Sequence, residues 1–322
     1  MNVTYVLPIR MNAAAGHEMD EYLSWLSAHV DEIIVVDGSE PCVFATHAAR
    51  WSALRLRHIP PAAELRHLAN GKVAGVLTGV RGATHEFVVI ADDDVRYDEA
   101  GLRGIASALA HADVVRPQNY FDPLPWHACL DTARTLLNRV SGGDWPGTLG
   151  VRRATLIATG GYDGDVLFEN LELVRTVIAA GGATACPLGL YVRRLPPSTD
   201  HFWSQRVRQA YDEFARPWRL LAWLSVMPAF ALFAAVSSWR AVGGALIVIV
   251  LAAEAGRRRC GGTRVFPFTA SLAAPLWVCE RAVCAWLAVA AYIAWGGIPY
   301  RGRIIARAAT PLRRLEQRLK GA

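Results

Sequence analysis

Lysine is nearly absent from this chain of 322 residues: of its 34 basic residues, all but Lys72 and Lys320 are arginine. Charged residues make up 19% of the sequence, hydrophobic residues make up 53%, and the mean hydropathy is +0.21. These proportions exclude a disordered or collagen-like chain and are too apolar for an ordinary soluble enzyme. In a chain so poor in lysine, Lys72 is a candidate phosphate contact.

Several common motifs are also missing. None of the six cysteines forms a CxxC pair, which favours reduced, mostly buried thiols over zinc or disulfide use. Gly71-Lys72 is followed by valine rather than Ser or Thr, so it is not a P-loop. The glycines at 71, 75, 79 and 82 do not spell GxGxxG, and their spacing instead predicts a helix packed closely on a sheet. Neither a P-loop NTPase nor a dinucleotide-binding protein is indicated.

Charge is divided unevenly along the chain. Residues 1–216 hold 20 Lys/Arg and 25 Asp/Glu, a net charge of −5, whereas residues 217–322 hold 14 and 3, a net charge of +11. The basic residues flank apolar runs instead of alternating with exposed aromatics, which argues against nucleic acid as a partner. Because no basic leader or cleavage site precedes Val3–Leu7, we expect residues 1–216 to form a cytoplasmic domain.

Three apolar runs follow that domain. Leu220–Ser238 is 19 residues without a charge, Ala241–Ala255 is followed by three arginines, and Phe266–Gly297 is interrupted by Glu280-Arg281. Seven of the 11 tryptophans lie in or beside these runs, as expected for interfacial belts. We therefore expect transmembrane or interfacial helices over residues 217–300 and a basic cytoplasmic tail over residues 301–322, in a multi-pass protein of the cytoplasmic membrane.

The arginine clusters leave two topologies open. The positive-inside rule would place all of them, including the tail, in the cytoplasm. The third run would then enter and return, with a re-entrant or interfacial segment around Leu272–Cys279. In the other topology the third run crosses once and the tail lies outside. The first is favoured here, and Arg303–Leu319 would then lie as a basic amphipathic helix on anionic lipid.

The first two thirds of the chain predict an α/β fold. Short apolar runs alternate with helical segments such as Glu18–Val30 and Lys72–Gly82. The runs are continuously apolar, which is typical of strands buried on both faces of a parallel sheet. The predicted strands are Val3–Leu7, Glu32–Val36, Leu54–Ile59, Glu86–Ala91 and Asp113–Arg116. Ligands of such sheets bind beyond the carboxyl ends of the strands.

Acidic residues stand at two of those strand ends. Asp37 follows the second strand and either accepts hydrogen bonds from a ribose or base, or merely begins an Asx-turn. Asp92, Asp93 and Asp94 follow the fourth strand, where adjacent carboxylates repel one another unless a cation compensates. Alternate residues of an extended segment point the same way, so Asp92 and Asp94 are the predicted ligands of Mg²⁺ or Mn²⁺. A solvated acidic turn is the alternative.

Two polar motifs come later in the chain. Glu169 and Glu172 follow a Gly-Gly turn and are i,i+3 neighbours if helical; either can act as a general base, or both can belong to a solvated face. Gln205, Arg206 and Arg208 precede the first apolar run. Arginines at that place can neutralise a leaving diphosphate or anchor the chain to lipid headgroups.

Taken in order over roughly residues 3–216, these motifs resemble a family 2 glycosyltransferase of the GT-A fold. The sequence is similar to the membrane-bound branch that contains ceramide glucosyltransferases, hopanoid-linked sugar transferases, and cellulose and hyaluronan synthases. The resemblance implies a Rossmann-like nucleotide-sugar-binding domain followed by C-terminal transmembrane helices. Asp37 would contact the uridine, Lys72 would lie near the nucleotide, and Asp94 would hold the metal on the diphosphate. The implied nucleotide-sugar-binding residues are Pro8, Asp37, Lys72, Asp92, Asp93, Gln205, Arg206 and Arg208.

The sequence departs from the family pattern at two positions. Asn170 stands where the family has its usual catalytic Asp, so we expect Glu169 to be the base, with Glu172 as the other candidate. Gln209 replaces the Trp of QRxRW and removes an aromatic platform for a sugar acceptor, which Trp203 is near enough to replace. Few spans and a missing platform argue against extrusion of a long polysaccharide.

The implied activity is inverting transfer of one sugar from a nucleotide-sugar, first of all a UDP-sugar, to a membrane lipid. A carboxylate would deprotonate the acceptor hydroxyl, and metal and arginines would stabilise the departing nucleoside diphosphate. Three alternatives stay open. They are a polyprenyl-phosphate glycosyltransferase, a polysaccharide-synthase-like enzyme, and a non-catalytic membrane module that binds nucleotide-sugars.

Overall fold

The computed structural model describes residues 1–236, 239–300 and 302–321, so that Ser237 and Ser238 of the first apolar run and Arg301 and Ala322 of the predicted tail lie outside the described residues. The strands are β1 Val3–Ile9, β2 Glu32–Asp37, β3 Arg57–Ile59, β4 Phe87–Ala91, β5 Val95–Arg96, β6 Val114–Val115, β7 Gln118–Phe121, β8 Thr148–Arg152, β9 Thr184–Ala185, β10 Tyr191–Arg194, β11 Ile298–Tyr300 and β12 Arg303–Ile305. The α-helices are α1 His17–His29, α2 Pro41–Trp51, α3 Gly71–Gly82, α4 Glu99–Leu109, α5 Trp126–Arg139, α6 Arg153–Ala158, α7 Glu169–Ala179, α8 Thr199–Ala210, α9 Pro217–Ala235, α10 Trp239–Arg258, α11 Phe268–Leu272, α12 Ala274–Trp295 and α13 Leu312–Lys320. Short 3-10 helices span Ala63–Leu65, Tyr211–Ala215 and Arg259–Arg264.

These elements form two compact units. The first, here called the head, comprises Met1–Pro117, Trp145–Arg193 and Thr310–Ala322. The second comprises Gln118–Asp144 and Arg194–Ala309. The C-terminal segment therefore belongs to the same unit as the N-terminal sheet, although about a hundred residues of the second unit separate them along the chain.

The head is built on a seven-stranded sheet with the order β3-β2-β1-β4-β8-β6-β9. Strands β3, β2, β1 and β4 are parallel, as the apolar runs predict. Strand β8 was not foreseen: it lies antiparallel between β4 and β6, so the sheet is mixed. The pairing of β1 with both β2 and β4 reverses the strand order there, and such a switch opens a crevice at the carboxyl ends.

Both faces of the sheet are covered, which explains its continuously apolar strands. Val3, Tyr5 and Leu7 of β1 pack in one buried cluster with α1 and α4, while Val6 packs in a second cluster with α3 and α7. Successive residues of a strand point to opposite faces, so a run buried on both faces has no polar alternation.

Helix α3 lies unusually close to β1, as its glycine spacing predicts. A Cβ at Gly75 would stand 2.8 Å from Cβ of Pro8, and a Cβ at Gly79 would overlap the side chain of Val6. The position of the half-buried Pro8 is thus explained by helix packing, and its predicted contact with a nucleotide stays a prediction.

We expect Gly79→Ala to destabilise the head. Overpacking of this kind costs about 1–3 kcal/mol, more than the gain of up to about 1 kcal/mol in helix propensity. Gly71→Ala in the same helix is the matched control, because no atom lies within 4 Å of its added Cβ. The apparent unfolding temperature of the detergent-solubilised protein should fall for Gly79→Ala and hold or rise for Gly71→Ala. Equal values for both variants would contradict close packing.

The C-terminal segment packs on α7 within the head. Leu315 of α13 is buried, and the backbone N–H of Thr310 donates to Oε2 of Glu172 at 2.6 Å. Arg175 Nη1 donates to the carbonyl oxygen of Thr310 at 3.0 Å. The predicted single helix over Arg303–Leu319 is wrong, because its first residues form β12 and its apolar Leu315 is covered by protein.

Among the described residues of the second unit, three helices are long and apolar enough to cross a membrane: Pro217–Ala235, Trp239–Arg264 and Ala274–Trp295. They correspond to the three apolar runs of the sequence. No residue of the first is buried, whereas the third buries one face along its whole length.

Candidate active site

The acidic run after β4 lies at the carboxyl edge of the parallel strands. The backbone turns directly after Ala91, since the Asp92 N–H donates to Gly147 and the Val95 N–H donates to Asp92. Asp92 and Asp94 are half-buried and Asp93 is exposed. Asp93 and Asp94 lie in this turn, so the extended segment expected for the acidic run is not formed. Carboxylate oxygens are the donors that Mg²⁺ and Mn²⁺ prefer, so Asp92 and Asp94 have the chemistry to hold such an ion.

Lys72 joins this acidic run to a second acidic motif. Its ammonium pairs with Oδ1 of Asp92 and lies 2.6 Å from Oε1 of Glu169. Burial alone would lower the pKa of Lys72, but the charges of Asp92 and Glu169 outweigh it and hold this pKa above its usual range. Asn70 fixes the start of α3, because its side-chain oxygen accepts from the Lys72 N–H at 3.1 Å. The structure thus brings together three of the predicted site residues.

Glu169 reaches this cluster because it is the first residue of α7. Its neighbour Asn170 donates from Nδ2 to the carbonyl oxygen of Pro146 at 3.0 Å. A carboxylate has no proton to give there, so the amide has a structural reason to stand at this position. Buried Tyr162, in the Gly-Gly turn, also lies near the cluster, and burial together with the charge on Glu169 raises its pKa. The sequence offered no signal for Tyr162 beyond its place in that turn.

Glu172 lies elsewhere on the same helix. Its side chain is fully buried, and one oxygen is used by the Thr310 N–H of the C-terminal segment. A carboxylate enclosed in this way anchors the tail to α7. Of the two candidate bases, Glu169 is therefore the one that shares a site with Asp92.

Asp37 ends β2 inside a polar cluster of the head. Its Oδ1 accepts from the Ser39 N–H at 2.8 Å, and its Oδ2 accepts from His47 at 2.7 Å and from His58 at 3.0 Å. Burial alone would raise its pKa, but the hydrogen bonds from His58, Ser39 and His47 outweigh it and hold the pKa well below its usual range. The carboxylate is buried and both of its oxygens accept bonds from the protein, and its contact with a uridine stays a prediction.

The two histidines were not predicted, because neither their spacing nor their neighbours in the sequence point to Asp37. Oxygen and nitrogen atoms of this trio also lie within the reach of one metal ion. The Ala15 N–H donates to Nε2 of His47 at 2.9 Å, however, which places the ring proton on Nδ1, facing Asp37. A protonated nitrogen is no ligand, so the trio is a hydrogen-bonded cluster.

We expect the stability of the folded protein at low pH to depend on the hydrogen bonds of Asp37 in this cluster. A folded-state pKa below the unfolded value stabilises the protein above about pH 3.8, and that contribution is lost as the pH falls through the folded pKa. Asp37→Asn should lower the unfolding temperature at pH 7 and flatten its pH dependence below about pH 4. Glu21→Gln, at an exposed position of α1, is the control. An acid limb of Asp37→Asn identical to that of the parent chain would contradict the assignment.

The predicted diphosphate-side residues lie on α8, in the second unit. Arg206 is buried; Nη1 donates to Oδ1 of Asp131 at 2.6 Å, and Nε and Nη2 donate to the carboxylate of Glu280 at 3.0 and 2.5 Å. Burial alone would lower the pKa of Arg206, but these carboxylates outweigh it and raise this pKa. The guanidinium thus binds α8 to α5 and α12, and its contact with a diphosphate stays a prediction.

The neighbours of Arg206 have different surroundings. Gln205 is half-buried, and the guanidinium of Arg208 lies 5.2 Å from the ring centre of Tyr300. Gln209, in place of the Trp of the QRxRW motif that the sequence resembles, accepts from Arg206 through Oε1 at 2.9 Å. A polar side chain at that position therefore completes the buried network of α8.

The fold is similar to that of a solved mannosyltransferase. The mannosyltransferase PcManGT from Pyrobaculum calidifontis, in complex with GDP-Man and Mn²⁺, matches with a TM-score of 0.55 and 18% identity over 92% of this chain and 87% of that chain. TarS residues 1–349 from S. aureus, in complex with UDP-GlcNAc, has a TM-score of 0.43 and 15% identity over 63% of this chain and 61% of that chain. No protein-family profile and no curated protein sequence matches the chain.

Proposed function

We propose that the chain is a metal-dependent inverting glycosyltransferase of family 2 that moves one sugar from a nucleotide-sugar to a lipid at the cytoplasmic membrane. The observation that carries this proposal is the Lys72 cluster. It joins the acidic run after β4 to Glu169 at the carboxyl edge of the parallel strands. That is the place where ligands of such sheets bind, and the surrounding fold is similar to that of a mannosyltransferase.

Each side chain of the cluster has a distinct task in this proposal. Asp92 and Asp94 hold Mg²⁺ or Mn²⁺, which when bound supplies positive charge for the departing nucleoside diphosphate. Glu169 removes the proton from the acceptor hydroxyl as the hydroxyl oxygen attacks the anomeric carbon of the sugar. Lys72 orients Glu169 through the 2.6 Å ion pair and keeps the two acidic motifs together.

A donor screen tests this proposal most directly. The purified chain would be incubated with UDP- and GDP-sugars, with and without Mn²⁺, and the released nucleoside diphosphate would be measured. We expect release from one donor, dependent on the metal and accelerated by extracted membrane lipids. Binding of a nucleotide in calorimetry without release from any donor would indicate the non-catalytic membrane module instead.

A polyprenyl-phosphate acceptor is the second candidate, and two contacts favour it. Asn170 supplies no carboxylate, and its amide donates to the carbonyl oxygen of Pro146. The Lys72 cation beside Glu169 suits an anionic acceptor. A phosphate is already ionised and needs no strong base. Radiolabelled donor and extracted lipids distinguish the acceptors, because a sugar on polyprenyl phosphate is released by mild acid and a sugar on a lipid hydroxyl is not.

A further inference from the structure

The number of membrane crossings follows from the position of the C-terminal segment. The chain leaves the head after Arg193 and returns to it at Thr310. Glu172 and Arg175 of α7 bind the backbone of Thr310, and Leu315 is buried in the same unit. Both ends of the intervening segment therefore lie on one side of the membrane. An even number of its helices must cross, although three have the length and composition to do so.

Helix α12 carries charges that do not suit the hydrocarbon core. Glu280 pairs with Arg206 of α8 at 2.5 Å, and Arg281 Nη1 donates to the carbonyl oxygen of Gln209 at 2.6 Å. Asp131 of α5 completes this cluster. Ionisable groups are costly at the bilayer centre, so this part of α12 lies at or above the interface. Only 14 residues of the helix follow Arg281, fewer than the roughly 20 that a crossing requires.

The contacts between α12 and α9 indicate the direction in which α12 runs. The rings of Trp277 and Trp223 lie 5.4 Å apart, and Trp286 Nε1 donates to the carbonyl oxygen of Leu224 at 3.2 Å. Trp277 and Trp286 are about 14 Å apart along α12, yet both reach the same turn of α9. If α12 ran parallel or antiparallel to α9, these two tryptophans would contact residues of α9 that are also about 14 Å apart. Helix α12 therefore passes across α9 near one level.

The far end of α12 returns to the segment that precedes α9. The Tyr292 ring lies 5.3 Å from that of Phe214, three residues before α9 begins at Pro217. Arg281 binds Gln209, slightly earlier in the same segment. Two residues of α12 that are three turns apart thus contact residues that precede α9 in the chain. The opposite face of α12 is apolar and exposed, as at Leu287 and Ile293.

We propose that α12 lies in the plane of the membrane surface on the side of the head, and that among the described helices α9 and α10 alone cross the bilayer, as a hairpin. The exposed face of α12 contacts the boundary between the lipid headgroups and the acyl chains. Helix α12 follows the spanning hairpin along the chain. Helix α9 has no buried residue and no charge beyond Arg219, as a spanning helix requires. This inference does not depend on the proposed reaction.

Thiol labelling of the full chain in whole cells tests the topology. In a background with the other cysteines replaced by serine, single cysteines would report four places: native Cys42 in the head, native Cys260 before α12, Arg303→Cys after α12, and Val236→Cys beside the end of α9. All four positions are exposed. An impermeant maleimide should label Val236→Cys from one side of the membrane and the other three cysteines from the opposite side. Labelling before and after permeabilisation of the cells distinguishes the two sides.

Either of two labelling patterns would overturn the inference. Labelling of Arg303→Cys on the side opposite to Cys260 would mean that α12 crosses. Labelling of all four positions on one side would mean that no helix crosses.

Spin labelling in vesicles measures the depth of each label in the bilayer. It complements the thiol labelling because it does not require the α9–α10 hairpin to be accessible to a reagent. Labels on the exposed face of α12, at Leu276, Val283, Leu287 and Ile293, should report similar, shallow depths. A label at Met227, near the middle of α9, should be deep. A maximum of depth in the middle of α12 would overturn the proposal.

Discussion

Glu169→Gln is expected to abolish sugar transfer while leaving nucleotide binding intact. The substitution keeps the size and the start of α7 but removes the group that accepts the acceptor's proton, and loss of a general base costs about 10²–10⁴-fold in kcat. Glutamine can still accept a hydrogen bond from Lys72, so the cluster should persist. Turnover measured with radiolabelled donor and lipid, beside nucleotide affinity by calorimetry, checks both parts.

Two further variants make the Glu169 result specific. Glu99→Gln removes a carboxylate from the exposed first turn of α4 and should leave turnover unchanged. Glu172→Gln should mainly lower the unfolding temperature, because Glu172 binds the tail segment at Thr310. If Glu172→Gln alone lost transfer, the base would be Glu172. If Glu169→Gln kept transfer and the product were labile to mild acid, the acceptor would be a phosphate.

Asp94→Ala is expected to abolish metal-dependent release of the nucleoside diphosphate. Loss of a group that stabilises charge in the transition state costs about 10²–10³-fold in kcat, and a lost ligand also weakens metal binding. Turnover of the variant should therefore stay low across a Mn²⁺ titration that saturates the parent chain. Asp94 is half-buried in the turn after β4, so the unfolding temperature must be compared as well.

The control for Asp94→Ala is Glu99→Ala, since it removes a carboxylate from the exposed first turn of α4 without touching the cluster around Lys72. Its turnover and its Mn²⁺ dependence should match those of the parent chain. Undiminished metal-dependent turnover of Asp94→Ala would remove Asp94 from the metal site, and the acidic run would then be a solvated turn.

Elements with a strong local pattern were predictable. The apolar runs at β1, β2 and β4 and the helical faces of α1 and α3 have their predicted positions within a residue or two. Short strands were harder, because β3 and β6 have only three and two residues and leave little periodicity. Strand β8 has Gly150 at its centre and lies between the strands β4 and β6. Its residues show no periodic apolar pattern, and it was not predicted.

The candidate site divides in the same way. A carboxylate run directly after a buried strand is a local signal, so Asp92 and Asp94 could be proposed from the sequence. Asp37 could be placed at a strand end, but its two histidine partners come from α2 and β3 and have no common spacing. Arg206 shows the limit most clearly: the same arginine suits a diphosphate or a buried network, and its carboxylate partners are about 75 residues away in either direction.

The sequence by itself determined which segments are apolar, which strand ends are acidic, and that a basic, apolar last third follows an acidic first two thirds. Each of these properties depends on neighbouring residues. Tertiary structure decided that Lys72 binds Glu169, 97 residues away, and that Glu172 binds Thr310, 138 residues away. These pairs distinguish Glu169 from Glu172 and place Thr310 against α7 within the head. Partners so distant in the chain meet only after the sheet and α7 have packed.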